Sequence, residues 1–219
     1  MFKKFVLFLL IALTVCHAAK AAEYIWQKSV EKGINYTHIK RKTAKGTLHI
    51  HLLMIDLKNE KINIMPALAN GKLCQLEKTS NIALDSEAIA AINGSFFATK
   101  DNLNLPIGNL IINKKLLSKS MLNRTAVGFT DDKKIMFGIP KVKGYVINKR
   151  NRKSIVIWGI NSPRRQDETI IYTEEFGDNT KTNKWGKEIV VDKNDKVIKK
   201  GIGNSKIPKN GFVISLHGW

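Results

Sequence analysis

The sequence predicts an α+β fold of a single domain, mostly antiparallel sheet with few helices. Three observations support this prediction: about ten short apolar and β-branched runs, turn residues between those runs, and one segment with helical spacing. The chain has 219 residues, of which 43% are hydrophobic. A chain of this length and composition can bury a substantial core.

The N-terminus has the three parts of a secretory signal peptide. Lys3 and Lys4 precede an apolar run at residues 5–15, and small residues stand before the predicted cleavage at Ala22. Because the apolar run is too short to span a bilayer, we expect residues 1–21 to be removed without leaving a stable membrane span. We therefore predict a bacterial protein that is secreted or held in the periplasm or cell envelope.

The charge of the chain points to polyanionic partners. The formal net charge is +19, and cleavage of the leader removes three lysines and no acid, leaving +16. For an exported protein this favours a phosphorylated glycan or an anionic cell-wall polymer over nucleic acid. The alternative is a solvated basic surface, since the lysines are dispersed over many turns. After cleavage Cys74 is the remaining cysteine, so no intrachain disulfide is expected.

The first half of the chain predicts strands and one helix. Residues 22–45 are polar and are interpreted as an N-terminal extension, with Trp26 and Tyr36 as possible strand residues. Residues 47–57 and 61–68 are predicted to pair as a hairpin, and residues 76–91 to form a helix. His49 and His51 share one face of the first strand; two such imidazoles can bind zinc, but a polar strand face is the expected arrangement.

The second half reads as successive short strands. Hairpins are predicted around residues 113–114, 131–132 and 193–195, and a further strand at residues 142–148. Residues 155–160 are an unbroken apolar run, which predicts a strand buried on both sides. Short strands are expected at residues 170–173 and 211–216.

Residues 88–110 form the first candidate site. An apolar run leads into Asn93-Gly94, which predicts a turn, and then into Phe96-Phe97, with Gly108 shortly after. Adjacent strand side chains point to opposite faces, so one phenylalanine could pack inward while the other lines a cleft. The alternative is an ordinary turn with a core phenylalanine.

The second candidate site is the polar loop that follows the apolar run at residues 155–160. Asn161, Arg164, Asp167 and Glu168 lie there, and Arg124 enters a predicted strand elsewhere. Arginines can hold a phosphate through charge-assisted hydrogen bonds, and a carboxyl group can act as a general acid or base. An exposed charged turn is the alternative. The sequence has no phosphate loop, zinc-protease helix or nucleophile elbow, and we predict neither a metal nor a cofactor.

Six segments, taken in order, resemble the phosphodiester glycosidase family: AAINGSFF, PIGNLIINKKLL, RTAVGFTDDKKIMFG, WGINSPRRQDETIIYT, GKEIVVD and IPKNGFVISLHG. The resemblance covers nearly all of the chain after the leader, and residues 46–219 are interpreted as the N-terminal portion of the family domain. It implies an exported hydrolase that cleaves a sugar from a sugar-1-phosphodiester in a glycan or cell-wall polymer. Bacterial members of the family are associated with exopolysaccharide or cell-wall biology.

The resemblance also implies roles for the candidate residues. The predicted substrate-binding set is Asn93, Gly94, Phe96, Phe97, Gly108, Asn161 and Arg164, and the predicted catalytic set is Arg124, Asp167 and Glu168. Family members continue with an Asp-Gly-Arg tripeptide and a Leu-Asp-Gly-Gly stretch, and this chain has neither. We therefore expect part of the active site to be missing. The alternatives are a non-catalytic basic module that binds anionic glycans, and a remnant that folds poorly.

Overall fold

The computed structural model describes residues 23–99, 103–119 and 123–218. The predicted signal peptide at residues 1–21 lies outside these ranges. The chain divides into two compact units, one ending at Asn59 and the other beginning at Glu60.

The first unit contains a three-stranded antiparallel sheet. Its strands are β1 (Glu23–Glu31), β2 (Ile34–Thr43) and β3 (Gly46–Ile55), with β2 in the middle. Gly33, at a φ of 86°, lies in the turn between β1 and β2. The strand predicted at residues 47–57 is confirmed, but its partner is β2 from the predicted polar extension, and residues 61–68 form no strand.

The second unit begins with short elements. A 3₁₀ turn (Ala69–Gly71) and one helix, α1 (Thr79–Asp85), are followed by four two-stranded antiparallel sheets. The paired strands are β4 (Phe97–Ala98) with β5 (Leu105–Pro106), β6 (Leu110–Ile112) with β7 (Lys115–Ser118), β8 (Ala126–Phe129) with β9 (Ile135–Gly138), and β10 (Tyr145–Ile147) with β11 (Ser154–Val156).

A five-stranded sheet completes the second unit. Its strands are β12 (Gly159–Ile160), β13 (Thr169–Thr173), β14 (Gly186–Val191), β15 (Val197–Gly201) and β16 (Phe212–His217), in the order β12-β13-β16-β14-β15. All pairings are antiparallel except β12 with β13. β16 lies in the centre of the sheet, and side chains such as Ile170, Tyr172 and Val213 are fully buried around it.

The predicted α+β class is wrong, because the described chain is essentially all-β. Its one α-helix has seven residues, where the sequence predicted sixteen at residues 76–91. Glu87 takes a φ of 52°, and the backbone N–H of Ala88 donates to the carbonyl of Ala83 (2.8 Å). This is the left-handed cap that commonly ends a helix. α1 buries no residue, so little packing favours a longer helix.

Several strand predictions are confirmed. The hairpins around residues 113–114, 131–132 and 193–195 form as predicted, and Asn113 and Lys114 both take the positive φ of a tight hairpin turn. The run at residues 155–160 is different. It is divided between β11 and β12, which belong to separate sheets, and the Trp158 side chain is half exposed. The prediction of one strand buried on both sides is therefore wrong.

Candidate functional site

Two segments predicted for the site lie side by side. β4 pairs with β5, and Phe97 lies opposite Pro106. The backbone N–H of Ile107 donates to the carbonyl of Phe96 (2.8 Å), and the Ser95 hydroxyl donates to the carbonyl of Ile107 (2.9 Å). These bonds hold the backbone of both phenylalanines against the loop that precedes Gly108.

Both phenylalanine side chains point into solvent. Phe96 is 77% exposed and Phe97 is 49% exposed, so neither is a core residue. Neither Asn93 nor Gly94 has the positive φ that the predicted Asn-Gly turn requires. The segment is thus an open stretch of chain that presents two aromatic rings, and the turn interpretation is wrong.

Asn93 and Gly108 flank this aromatic pair. The Thr79 hydroxyl at the start of α1 donates to Asn93 Oδ1 (2.5 Å). Gly108 has a φ of 136°, a conformation that glycine adopts readily and other residues avoid. Its carbonyl accepts a hydrogen bond from the Ser118 hydroxyl (2.9 Å), which anchors the loop to the end of β7.

Arg124 lies apart from these contacts. It is exposed and lies two residues before β8. Across residues 23–99, 103–119 and 123–218, no hydrogen bond or ion pair joins its guanidinium to another predicted site residue. Its charge is therefore available to an anion in solution.

Asn161 is a buried linker between strands. It is 2% exposed, and its amide group donates to the carbonyl of Leu117 and to the Thr173 hydroxyl, both at 2.9 Å. Its Oδ1 accepts from the backbone N–H of Thr173 (2.8 Å). These partners satisfy both amide hydrogens and the oxygen, so Asn161 supports the fold and does not face a ligand.

Arg164 spans the edge of the five-stranded sheet. Its Nη1 donates to the Ser215 hydroxyl (2.9 Å) and to the carbonyl of Leu216 (3.2 Å), and its Nη2 donates to two oxygens of Asn183, each at 2.8 Å. A Cβ at Gly186 would lie 2.4 Å from Nη1, so the guanidinium needs a glycine there. Arg164 Nε is buried and has no partner among the described residues.

The two predicted acids have different surroundings. Glu168 is buried, and its Oε2 accepts from the backbone N–H of Arg165 (3.1 Å). Asp167 is exposed, with a φ of 59°, and its Oδ1 lies against Gly218, where a Cβ would approach it to 2.5 Å. Of the two carboxyl groups, that of Asp167 is the accessible one.

Sequence reasoning missed a buried carboxylate at Glu188. It is 1% exposed, and the Ser215 hydroxyl donates to its Oε1 (2.7 Å), while the backbone N–H of Ser205 donates to Oε2 (2.8 Å). The hydroxyls of Thr180 and Thr182 also donate to Oε1. Burial alone would raise the pKa of Glu188, but these hydrogen bonds hold its pKa below the ordinary value.

A signal for this network was present in the sequence. Glu188 precedes three apolar residues in β14, and Ser215 lies between Ile214 and Leu216 in β16. Glu188 and Ser215 lie directly opposite each other in the β14–β16 pairing. Since Arg164 also donates to Ser215, a continuous hydrogen-bonded path joins the guanidinium to the buried carboxylate. Such a path rigidifies the sheet where β14 and β16 pair.

The first unit carries a cluster of imidazoles on one sheet face. The His38 ring stacks on those of His49 and His51, with centroids 5.2 and 4.6 Å apart, and His38 Nε2 lies 3.0 Å from His49 Nδ1. Desolvation, together with the neighbouring His51, His49 and Lys40, lowers the pKa of His38. Within the described ranges, no three or more His, Cys, Asp or Glu side chains are arranged to hold a metal ion.

No helix in the described part of the chain combines the length and the apolarity needed to cross a membrane.

The comparisons with known proteins give the fold. No protein-family model and no curated protein matches the chain. Among solved structures it is similar to a hypothetical protein from Synechocystis, with a TM-score of 0.74 and 21% identity; the match covers 89% of this chain and 37% of that one. It is also similar to a "Putative exported protein" from Burkholderia pseudomallei K96243, with a TM-score of 0.72 and 14% identity, over 91% of this chain and 65% of that one.

The identities are low, so these two likenesses establish the architecture alone. The chain spans less than two thirds of the length of either structure, at 37% and 65%.

Proposed function

We propose that this protein is an exported hydrolase of the phosphodiester glycosidase type, which cleaves a sugar from a sugar-1-phosphodiester in a glycan or cell-wall polymer. The observation that carries the proposal is the aromatic pair Phe96–Phe97, exposed on a backbone that β5 and Ser95 hold in place. Exposed aromatic rings on a fixed backbone suit stacking against a sugar ring, because little entropy is lost when the sugar binds. The predicted leader and the description of the Burkholderia neighbour support export.

Within this proposal the candidate residues divide by accessibility. Phe96 and Phe97 contact the sugar, and Arg124 grips the phosphate through its free guanidinium. Asp167 is the better candidate for the acid, because Glu168 is buried and already accepts a backbone hydrogen bond. Asn161 and Arg164 bond to the protein itself, so we assign them to the support of the site.

A second function, a non-catalytic module that binds anionic glycans, is favoured by one observation. Acids are scarce, and the four ion pairs of the described residues use four of the 33 lysines and arginines in residues 23–99, 103–119 and 123–218. Most cations are therefore free to meet a polyanion. Binding and turnover must be measured together to separate this function from the first.

The test uses the protein purified after export, with a uridine-diphosphate sugar and a sugar-1-phosphate methyl ester as ligands. We expect binding by calorimetry and release of free sugar by chromatography. Phe96→Ala should weaken binding about tenfold, from the loss of one stacked aromatic ring. The matched control is Phe137→Ala, which removes an equally exposed ring (76% against 77%) from another hairpin and should leave binding unchanged.

A parallel pair tests the phosphate contact. Arg124→Ala should weaken binding of the phosphodiester, and Arg150→Ala, another exposed arginine, should not. Tight binding without sugar release would contradict the proposed hydrolase and support the non-catalytic binding module. If neither ligand binds the wild-type protein, both functions are wrong.

A further inference from the structure

The β8–β9 hairpin has an apolar face that nothing in the described chain covers. Its residues are Val127 and Phe129 on β8, which lie opposite Phe137 and Ile135 on β9, so all four side chains share one face. They are 52%, 42%, 76% and 48% exposed, in that order. We call these four residues the β8–β9 apolar face.

The next hairpin along the chain repeats the pattern. In β10–β11, Tyr145 lies opposite Val156, and both are about half exposed, as is Ile147. An isolated two-stranded hairpin is marginally stable in water. Four exposed apolar side chains on one strand face, as on β8–β9, mark a place where another body binds.

The same segment is strongly basic. Residues 126–156 contain six lysines and two arginines but two acids, Asp131 and Asp132. Both acids are already neutralised, Asp131 by Lys114 (2.7 Å) and Asp132 by Lys134 (2.6 Å). Six of the cations, at positions 141, 143, 149, 150, 152 and 153, form no ion pair with any residue in the described ranges.

We infer that the β8–β9 apolar face docks on the surface of a lipid bilayer that contains anionic lipids. A soluble polyanion would engage the lysines and leave the phenylalanines in water, and an apolar protein surface would leave the cations unpaired. An anionic lipid surface satisfies both, since its acyl region takes up Phe129 and Phe137 while its headgroups attract the unpaired lysines and arginines that follow β9 in the chain. The docking is interfacial and shallow.

This inference does not depend on the proposed hydrolase. The docking face uses β8 and β9, whereas the proposed sugar contacts are on the Phe96–Phe97 segment. The two exposed phenylalanines, Phe96 and Phe137, therefore serve as controls for each other.

The test is flotation of the full exported chain with vesicles. We expect it to float with vesicles of equal parts phosphatidylglycerol and phosphatidylcholine, and much less with phosphatidylcholine alone. Phe137→Ala should lower the partition coefficient about tenfold, whereas Phe96→Ala should leave it unchanged. High salt should weaken the binding, because it screens the headgroup charge.

A second variant keeps the test decisive if Phe137→Ala fails to fold. The double variant Lys141→Gln/Lys143→Gln changes two exposed loop side chains and should lower partitioning about fivefold for each charge removed. Circular dichroism and thermal melting verify the fold of every variant. Equal binding to neutral vesicles, or no binding at all, overturns the inference. So does a soluble dimer that Phe137→Ala dissociates, since a second copy would then cover the face.

Discussion

The five-stranded sheet and the hairpins β8–β9 and β10–β11 differ in how they use their apolar side chains. In the sheet, Ile170, Tyr172 and Val213 are fully buried around the central strand β16. In the hairpins, Phe137 and Tyr145 are largely in solvent. Both regions are built largely from short antiparallel strand pairs, although β12 and β13 pair in parallel within the sheet. The comparison teaches that the pairing of strands does not by itself bury a face; a second layer must pack against it.

The predicted site residues also divide into those bonded within the sheet and those exposed outside it. Asn161, Arg164 and Glu168 belong to the sheet or its edge, and each bonds to neighbouring strands or loops. Phe96 and Arg124 lie outside the sheet and are exposed. Under the proposed function, the sheet supports the site and these exposed residues contact the ligand.

The largest contrast is expected between two phenylalanines. Phe176 is 1% exposed and packs edge-on against Tyr172, with ring centroids 4.8 Å apart. Phe176→Ala should lower the free energy of unfolding by about 4 kcal/mol, because it leaves a cavity in the core. Phe137→Ala should change it by less than about 0.5 kcal/mol. Urea denaturation followed by near-UV circular dichroism measures the free energy of unfolding of both variants. Similar losses would contradict the difference in burial between the two phenylalanines.

The next effect concerns the buried carboxylate. Glu188→Gln should lower the free energy of unfolding by about 3 kcal/mol, because an amide hydrogen is placed among hydroxyl and backbone donors. The folded state holds the pKa of Glu188 below its ordinary value of 4.5, so the native state binds fewer protons than the unfolded chain. This stabilisation is present above about pH 4.5 and is lost as the pH falls through the lowered pKa.

Unfolding in urea at a series of acidic pH values reveals this dependence. Wild type should lose stability below about pH 4.5 more steeply than Glu188→Gln, in which the carboxyl group is absent. Asp85→Asn, at an exposed carboxylate of α1, is the control and should keep the wild-type profile. Parallel profiles for wild type and Glu188→Gln would exclude the proposed role of the carboxylate.

The smallest expected difference in stability is between alanine substitutions at two strand glycines. Gly186→Ala places a Cβ 2.2 Å from the carbonyl of Leu216 and 2.4 Å from Arg164 Nη1, and should cost about 2 kcal/mol. In β8, Gly128 has no heavy atom within 4 Å of its Cβ position, so Gly128→Ala should be neutral or stabilise by about 0.5 kcal/mol. Thermal melting of the two variants measures this difference in stability. Gly128 lies opposite Met136, on the face of the hairpin that the β8–β9 apolar face does not include. A loss at Gly128 equal to that at Gly186 would show that this second face is covered.

Short-range sequence signals predicted the local elements well. Turn residues at 113–114 and 193–195 and alternation in the flanking runs were sufficient for the hairpins, because their partners are adjacent in the chain. The helix prediction failed at its C-terminal half, where Glu87 takes a left-handed conformation and no buried face supports further turns. The segment at residues 22–45 was interpreted as a polar extension with Trp26 and Tyr36 as possible strand residues. It forms β1 and β2, which pair with each other, and β2 also pairs with β3.

The candidate site was predictable in its residue types and less so in their roles. Arg164 was predicted to bind substrate from its charge, its place in a polar loop and the family resemblance, yet its Nη groups donate to Ser215, Leu216 and Asn183. Those partners are nineteen or more residues away in the chain, so no local pattern reveals them. Glu188 was missed for the same reason: its partners lie on other strands and loops.

The sequence by itself determined the strand-rich chain, its hairpin turns, its basic charge and the candidate residues, since these depend on neighbouring residues and on composition. The tertiary structure decided which apolar side chains are buried, that β16 lies between β13 and β14, and that Asn161 and Arg164 support the fold while Phe96 faces solvent. Burial and hydrogen-bond satisfaction depend on contacts between residues far apart in the chain, and those contacts exist only after the sheets have formed.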